Sequence, residues 1–131
     1  MTRMTRSALV LVCSLALFAG LTPTAVASHR PNSFCSESGD FCQFATKNRK
    51  RIRYIEFRSF AHRGKVSVCV SAPDETRSCV KDRFRDGNDD GVFVSRLRWS
   101  TNFPNKGPGS YTVRWRQNGE RIGRILGFHK K

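Results

Sequence analysis

The sequence has few acidic residues and few histidines, and it lacks the motifs of the common enzyme classes. Ten Asp and Glu stand against 24 Lys and Arg, and the histidines number three. It contains no G-x-S-x-G nucleophile elbow, H-E-x-x-H zinc helix or glycine-rich phosphate loop. General acid–base catalysis needs two titratable groups brought together. We therefore expect a non-enzymatic protein with no cofactor.

Long apolar runs are also missing after the first residues of the chain. The segment Ala8 to Leu21 is apolar but short for a bilayer span. Two basic residues, Arg3 and Arg6, precede it, and an A-x-A pattern at Ala25 and Ala27 follows it. This arrangement predicts a signal peptide over residues 1–27, an extracellular (secreted) protein and no transmembrane segment. The remaining chain has 22 basic and ten acidic residues, a net charge of +12, and the length of one domain.

Four cysteines follow the predicted signal peptide: Cys35, Cys42, Cys69 and Cys79. An even number in a short exported chain indicates two disulfides, for which three pairings exist. We favour Cys35–Cys42 and Cys69–Cys79, because each pair encloses a short segment rich in turn residues. A zinc site is the alternative, but the C-x6-C and C-x9-C spacings are longer than zinc sites normally use.

No stretch of the mature chain has helical periodicity, whereas several alternate with a period of two. Strands are predicted over residues 51–60, 65–71, 76–81 and 91–100. In the second of these, Val66, Val68 and Val70 share one face, so Cys69 and its disulfide are expected outside the main core. Phe93, Leu97 and Trp99 are expected to share a face of the fourth.

The C-terminal segment predicts a hairpin. Asn118-Gly119 is a strong signal for a type I′ turn between strands, with Tyr111, Val113 and Trp115 on the apolar face. Simple register would place Val113 opposite Arg124. A β-bulge at Gly123 that turns Ile125 inward would avoid this mismatch.

These strands predict an all-β fold, an antiparallel immunoglobulin-like β-sandwich of about six or seven strands with two disulfides. "PGSYTV" around Tyr111 looks like the tyrosine corner of immunoglobulin-like domains. We place this sandwich at residues 51–131, and assign residues 28–50 to an N-terminal arm that holds the Cys35/Cys42 loop.

The pattern G-x-Y-x-V-x-W-x(3)-G-x(3)-G-x(3)-F, from Gly109 to Phe128, resembles small secreted actinobacterial proteins of unassigned function with a single immunoglobulin-like β-sandwich. The resemblance implies the fold and export but touches function little. The same tail is similar to the last hairpin of periplasmic copper-resistance sandwiches. Those have a histidine in that hairpin, whereas the turn Gln117 to Glu120 has none, so His29 is left as a lone copper ligand and we expect no metal site.

The segment "RDGNDDG" (Arg85 to Gly91) supplies three of the ten acids. Asp86, Asn88 and Asp90 occupy the first positions of a calcium loop, with Asp89 or Asp82 as further ligands. Leu97 stands where the loop needs a bidentate acid, and a strand follows instead of a helix. We interpret the segment as a turn and keep calcium as the weaker alternative.

Two other functional interpretations have weak support. His62 with Glu56 could form the acid–base pair of a small nuclease, but a histidine in a turn is more often a surface residue. The long connection Ser100 to Ser110 could be the presented loop of a secreted effector, either a protease inhibitor or an antimicrobial toxin.

The basic surface is the strongest functional signal. "KNRKRIR" and the polar strand faces supply the candidate anion-binding residues: Lys47, Arg49, Lys50, Arg51, Arg53, Arg96, Arg98, Arg114, Arg116, Arg121 and Arg124. Guanidinium groups match carboxylate and phosphate bidentately. We expect a monomer that binds an anionic surface or partner, such as a cell-wall polymer, acidic polysaccharide or lipid, with no specific nucleic acid. High net charge for solubility alone is the competing explanation.

Overall fold

The computed structural model describes residues 29–131; the predicted signal peptide and Ser28 lie outside these described residues. The described chain folds into eight strands and a single helical turn. The strands are β1 (Ser33–Cys35), β2 (Phe41–Lys47), β3 (Arg53–Ser59), β4 (Gly64–Ser71), β5 (Arg77–Phe84), β6 (Phe93–Arg98), β7 (Gly109–Gln117) and β8 (Glu120–Lys130), and helix α1 is Trp99–Asn102.

Two antiparallel sheets of four strands pack as a sandwich. The first sheet has the order β1-β2-β3-β6 and the second has the order β5-β4-β7-β8. The predicted antiparallel sandwich with two disulfides is confirmed. The strands outnumber the expected six or seven because β1 and β2 were not predicted.

The core lies between the inner faces of the two sheets. Val66, Val68 and Val70 are buried on one face of β4, as the period of two predicts. Ile55 and Phe57 of β3 lie opposite them across the sandwich, and all five belong to one hydrophobic cluster. The outward positions of the same strands are therefore free to be polar.

Residues 29–50, which we assign from the sequence to an arm, contribute two strands to the first sheet. β2 pairs with β3 along its whole length, from Phe41 opposite Ser59 to Lys47 opposite Arg53. β1 covers the other edge of β2. The sheet thus continues through the expected boundary at residue 51.

Both disulfides join residues that face each other directly on neighbouring strands. Cys35 lies opposite Cys42 across β1 and β2, and Cys69 lies opposite Cys79 across β4 and β5. The favoured pairing is confirmed. Cys69 alternates with the core valines, so its bridge lies on the outer face of the second sheet and outside the hydrophobic cluster.

The last hairpin contains the expected irregularity. Val113 pairs with Leu126 and Trp115 pairs with Ile122, so residues 123–125 form a bulge opposite Arg114. The bulge turns Leu126 inward, fully buried, rather than the expected Ile125. It adds two residues to β8, which preserves the alternation and brings the next apolar pair into register.

A buried glutamine of the first sheet fills this bulge of the second. Gln43 donates to the Arg124 carbonyl oxygen at 3.0 Å and accepts from the Arg124 N–H at 2.7 Å. Gly123 has φ +65°, and a Cβ there would stand 2.5 Å from Gln43 Oε1. The side chain satisfies backbone groups that the bulge leaves unpaired, and it joins the two sheets.

The tyrosine corner is formed. The Tyr111 hydroxyl donates to the Gly107 carbonyl oxygen at 2.8 Å and accepts from the Lys106 N–H at 3.0 Å. Trp99 was expected on the face of β6, but β6 ends at Arg98 and Trp99 begins α1. Its ring is still buried, in edge contact with Tyr111.

Candidate anion-binding surfaces

The outer face of the second sheet is covered by basic side chains, and we call it the basic face. Strand register places seven Lys and Arg at its outward positions, beside the exposed disulfide partner Cys79. Arg30 packs over Gly127 on the same side, where a Cβ on the glycine would meet the Arg30 Cβ at 2.9 Å. The strand residues are Lys65, Arg77, Lys81, Arg83, Arg114, Arg116 and Arg121.

No strand residue of the basic face is acidic. The other outward positions hold small polar residues such as Ser67, Ser71 and Thr112, together with Gly127. Asp82 belongs to β5 but takes the inward alternation, where Ser95 donates to it at 2.6 Å. Within residues 29–131, no ion pair involves a member of the basic face.

Arg114 lies at the centre of this face. Partial burial, and then the positive charges of Arg30, Arg77, Arg116 and Arg121, lower the pKa of Arg114 below its ordinary value. The group remains charged at neutral pH. Burial is the larger cause of the lowered pKa, and the neighbouring cations add a repulsion that an approaching anion would relieve.

The outer face of the first sheet is different, because two of its arginines share one buried acid. Glu56 takes an outward position of β3, yet it is only 5% exposed. Its Oε1 accepts from Arg58 Nε, and its Oε2 lies 3.1 Å from Arg96 Nε. We call these three residues the arginine–glutamate cluster.

Two aromatic rings flank this cluster. The Arg96 guanidinium lies 4.0 Å from the centre of the Tyr54 ring, and that of Arg58 lies 5.7 Å from the centre of the Phe44 ring. A surface concavity of about 340 Å³ opens between them, lined also by Thr46, Lys47 and Asn48. The face therefore combines fixed guanidinium groups with apolar rings.

The candidate residues from the sequence are divided among separate places. Arg114, Arg116 and Arg121 lie on the basic face, whereas Arg96 and Arg98 lie on the outer face of the first sheet. Lys47, Arg49, Lys50 and Arg51 lie at and beyond the end of β2, exposed in the turn that leads to β3. Arg124 is exposed at the bulge, with its guanidinium 5.3 Å from the centre of the Phe34 ring.

Arg53 does not fit the expectation of an exposed anion contact. Its side chain follows the inward alternation of β3, lies 4.0 Å from the centre of the Phe128 ring and donates to the Ala45 carbonyl oxygen. This burial lowers the pKa of Arg53 below its ordinary value. Arg53 packs against the end of the core, because its alternation is shared with Ile55 and Phe57.

Several basic residues were missed by the sequence reasoning. Arg77, Lys81 and Arg83 alternate along β5 and join Lys65 of β4 on the basic face. Their spacing in "RSCVKDR" contains this signal, once Cys79 is taken to face outward with Cys69. Arg58 was also missed, although it lies two residues from Glu56 on the same face of β3, and the pairing of β3 with β6 brings Arg96 to the same carboxylate.

The acidic loop uses its oxygens for the turn itself. Asp86 accepts the N–H of Asp90 at 3.2 Å and of Gly91 at 2.9 Å, and Asp90 accepts the N–H of Val92 at 2.9 Å. Across residues 29–131, no group of three His, Cys, Asp or Glu side chains is arranged to hold a metal ion. These contacts favour the turn interpretation, and calcium remains a prediction for titration.

The residues proposed for a nuclease pair are not brought together. The His62 ring packs on the core side of the first sheet. Its centre lies 5.3 Å from the centre of the Phe57 ring and 5.8 Å from that of the Phe41 ring. Its Nδ1 lies 2.9 Å from Ser59 Oγ, and burial lowers the pKa of His62. Glu56 points to the opposite side of the same sheet, so this pair cannot share a substrate.

The connection Ser100 to Ser110 is fastened to the body of the protein. Phe103 is buried, and the Lys130 ammonium donates to Asn105 Oδ1 at 2.6 Å. The backbone N–H of Lys106 is used by Tyr111. An effector role for this loop remains a prediction that these contacts do not decide.

Comparisons with known proteins give no relative for this chain: no protein-family model, curated protein or solved structure matches it. None of the helices among the described residues is long and apolar enough to cross a membrane. The two disulfides are typical of proteins that fold in an oxidising compartment.

Proposed function

We propose that this protein is a secreted, non-enzymatic β-sandwich that binds an anionic polymer or surface through its basic face. The observation that carries the proposal is the charge of that face, whose strand positions hold seven cations and no acid. The candidate ligands are cell-wall polymers of the teichoic type, acidic polysaccharides and anionic lipid.

The arrangement of the cations suits an extended ligand. Strands lie roughly 5 Å apart and outward residues along a strand roughly 7 Å apart, so the basic face is a flat two-dimensional array of charges. A flat array offers a small ion little enclosure, but it can contact repeated anionic groups along a chain. Ser67, Ser71 and Thr112 between the cations add hydroxyl groups that can bond to the same ligand.

The positive charges of the basic face are not neutralised by acidic side chains, which supports a role in binding rather than in solubility alone. A protein that needs only net charge can mix both signs over its surface. Here the seven strand cations of the basic face lie side by side without an ion pair among the described residues, and the charges of four neighbouring arginines act on Arg114. Their mutual repulsion is a cost that a polyanion would offset.

Export is part of the proposal. It is supported by the sequence features of residues 1–27, by the two disulfides and by the resemblance of the Gly109 to Phe128 pattern to small secreted sandwiches. A secreted basic protein meets polyanions of the cell wall and extracellular matrix before it meets nucleic acid.

The test is retention of the exported protein on cell wall, anionic vesicles and heparin at two salt concentrations. Because bound cations release condensed counterions, affinity should fall by about 1000-fold between 50 mM and 200 mM salt if six or more contacts form. Retention that does not change with salt, or equal retention on neutral dextran and phosphatidylcholine vesicles, would overturn the proposal.

A further inference from the structure

The concavity on the outer face of the first sheet has the features of a site for a small ligand. It is about 340 Å³ in volume, at the lower end of the range for ligand pockets. Tyr54 and Phe44 supply apolar surface, and Arg58, Arg96 and Asn48 supply polar groups around it. It lies on the opposite side of the sandwich from the basic face.

Glu56 fixes the two arginines in a particular way. Each guanidinium contacts the carboxylate through Nε, Arg58 at Oε1 and Arg96 at Oε2. A guanidinium has five N–H donors, so this contact leaves the four donors of the two Nη groups. The arginine side chains are 57% and 51% exposed, whereas that of Glu56 is 7% exposed. The acid is enclosed while the donors remain open to a ligand.

The aromatic rings restrict the arginines further and define the rest of the ligand. Stacking on Tyr54 holds the plane of Arg96, and Phe44 lies beneath Arg58. Asn48 uses Oδ1 to accept the N–H of Lys50 and of Ile52, which leaves its amide hydrogens for other partners. Apolar rings next to amide and guanidinium donors match a molecule with both a hydrocarbon face and oxygen substituents.

We propose that the arginine–glutamate cluster binds the anionic substituent of an acidic sugar. The carboxylate, phosphate or sulfate accepts hydrogen bonds from the Nη groups of Arg58 and Arg96. The C–H face of the sugar ring packs against Tyr54 and Phe44, and Asn48 donates to a hydroxyl. The volume accommodates one or two sugar rings. This site is independent of the polymer-binding role of the basic face.

Calorimetric titration of the full exported protein with small sugars tests the ligand class. A uronic-acid disaccharide and glucose 6-phosphate are the two acidic probes, and they separate a carboxylate preference from a phosphate preference. We expect at least one to bind at least about tenfold more tightly than both maltose and inorganic phosphate. Equal binding of neutral and acidic sugars overturns the proposal, as does binding of inorganic phosphate as tight as that of the sugars.

Glu56→Gln separates an organised site from simple charge attraction. The substitution raises the net charge by one, so diffuse electrostatics would strengthen binding of an acidic sugar. We expect instead a loss of about tenfold, because the arginines lose the carboxylate that aligns them. The matched control is Glu120→Gln, which changes the charge equally at an exposed position on β8. Tighter sugar binding in Glu56→Gln than in Glu120→Gln contradicts the proposal.

Arg96→Lys keeps the test valid if Glu56→Gln does not fold. It retains the positive charge at an exposed position but removes the planar fork and its stacking on Tyr54. We expect sugar binding to fall about tenfold, whereas the control Arg63→Lys, at an exposed arginine that lies over the Phe93 ring outside the concavity, leaves it unchanged. Circular dichroism checks folding of each variant. Equal affinities of these two variants overturn the proposal.

Discussion

The two outer faces of the sandwich use arginine in opposite ways. On the second sheet, Arg114 and its neighbours have no acidic partner among the described residues and repel one another. On the first sheet, Arg58 and Arg96 share the enclosed carboxylate of Glu56 and stack on aromatic rings. The total number of cations therefore says little about what each face can bind.

The difference lies in the range of the interaction. Unpaired cations act together over roughly a Debye length, about 8 Å at physiological salt, and respond to the charge density of a ligand. The two guanidinium groups that share the Glu56 carboxylate keep a net charge of one, and their remaining donors are fixed in direction. The basic face should recognise how much charge a ligand carries, and the cluster should recognise where a ligand carries it.

Reversing the charge of the basic face should produce the largest effect. In the variant Arg114→Glu, Arg116→Glu and Arg121→Glu, polymer binding should weaken by at least about 100-fold at low salt, because each basic residue near an anionic surface contributes about 1 kcal/mol and the new acids also repel the polymer. The measurement is retention on heparin and on anionic vesicles. Sugar binding at the arginine–glutamate cluster should be unchanged.

The matched control reverses the same number of charges in the turn after β2. Arg49→Glu, Lys50→Glu and Arg51→Glu are exposed there and change the net charge equally. We expect a much smaller loss of polymer binding. Equal losses in the two variants would show that overall charge, and not the basic face, determines binding.

The bulge that joins the sheets gives the next largest effect. Gly123→Ala should reduce the free energy of unfolding by about 3 kcal/mol, because it adds left-handed strain of about 1–2 kcal/mol and a collision with Gln43. Urea denaturation measures this loss. Gly119→Ala is the control, with φ +80° but no atom within 4 Å of the added Cβ. Equal losses would mean that the Gln43 contact is unimportant.

Removing the disulfides one at a time compares the two sheets directly. Cys35→Ala with Cys42→Ala, and Cys69→Ala with Cys79→Ala, should each reduce the free energy of unfolding by about 2–3 kcal/mol through loop-closure entropy. Thermal and urea unfolding measure both. Loss of Cys69–Cys79 should also weaken polymer binding, because that bridge holds two strands of the basic face together. Weaker polymer binding without Cys35–Cys42 would contradict this assignment.

Acid should have the smallest effect, on stability rather than on polymer binding. Burial lowers the pKa of His62 below its ordinary 6.5, so the unfolded chain takes up a proton more readily than the folded protein. His62 therefore contributes stability that is present above about pH 6.5 and declines as the pH falls below it. Unfolding from pH 7.5 to 5 measures the decline, and His62→Gln should make it shallower.

Lys and Arg keep their charge over this pH range, so their contribution to heparin binding should stay constant. A change in heparin affinity that follows the titration of His62 would show that the core and the basic face are coupled.

Much of the sandwich could be predicted, because the alternation of apolar and polar residues within a single strand shows which face is buried. The valines of β4 and the Asn118-Gly119 turn each specify a structure within a few residues. β1 and β2 escaped prediction, since β1 has three residues and β2 follows a cysteine loop without a strong β-branched pattern. The end of β6 at Arg98 was missed because Trp99 is buried in either conformation.

The candidate sites were less predictable, because they depend on which strands become neighbours. The alternation in β7 identified Arg114 and Arg116, but only the pairing of β4 with both β5 and β7 unites them with Lys81 and Arg83. Likewise, no local pattern shows that Glu56 and Arg96 lie opposite each other on β3 and β6. Nor does the local pattern show that the Arg53 side chain lies over the Phe128 ring, as a long side chain at a strand end can do.

The contact between Gln43 and Arg124 also constrains the order of folding. These residues are 81 positions apart, whereas the cysteines of the two disulfides are 7 and 10 positions apart. Oxidation can thus proceed within a chain that is still emerging, but the sheets can be fastened together only after β8 has arrived. In a growing chain the disulfides would therefore form before the core between the sheets is complete. The last strand would complete the cooperative folding transition.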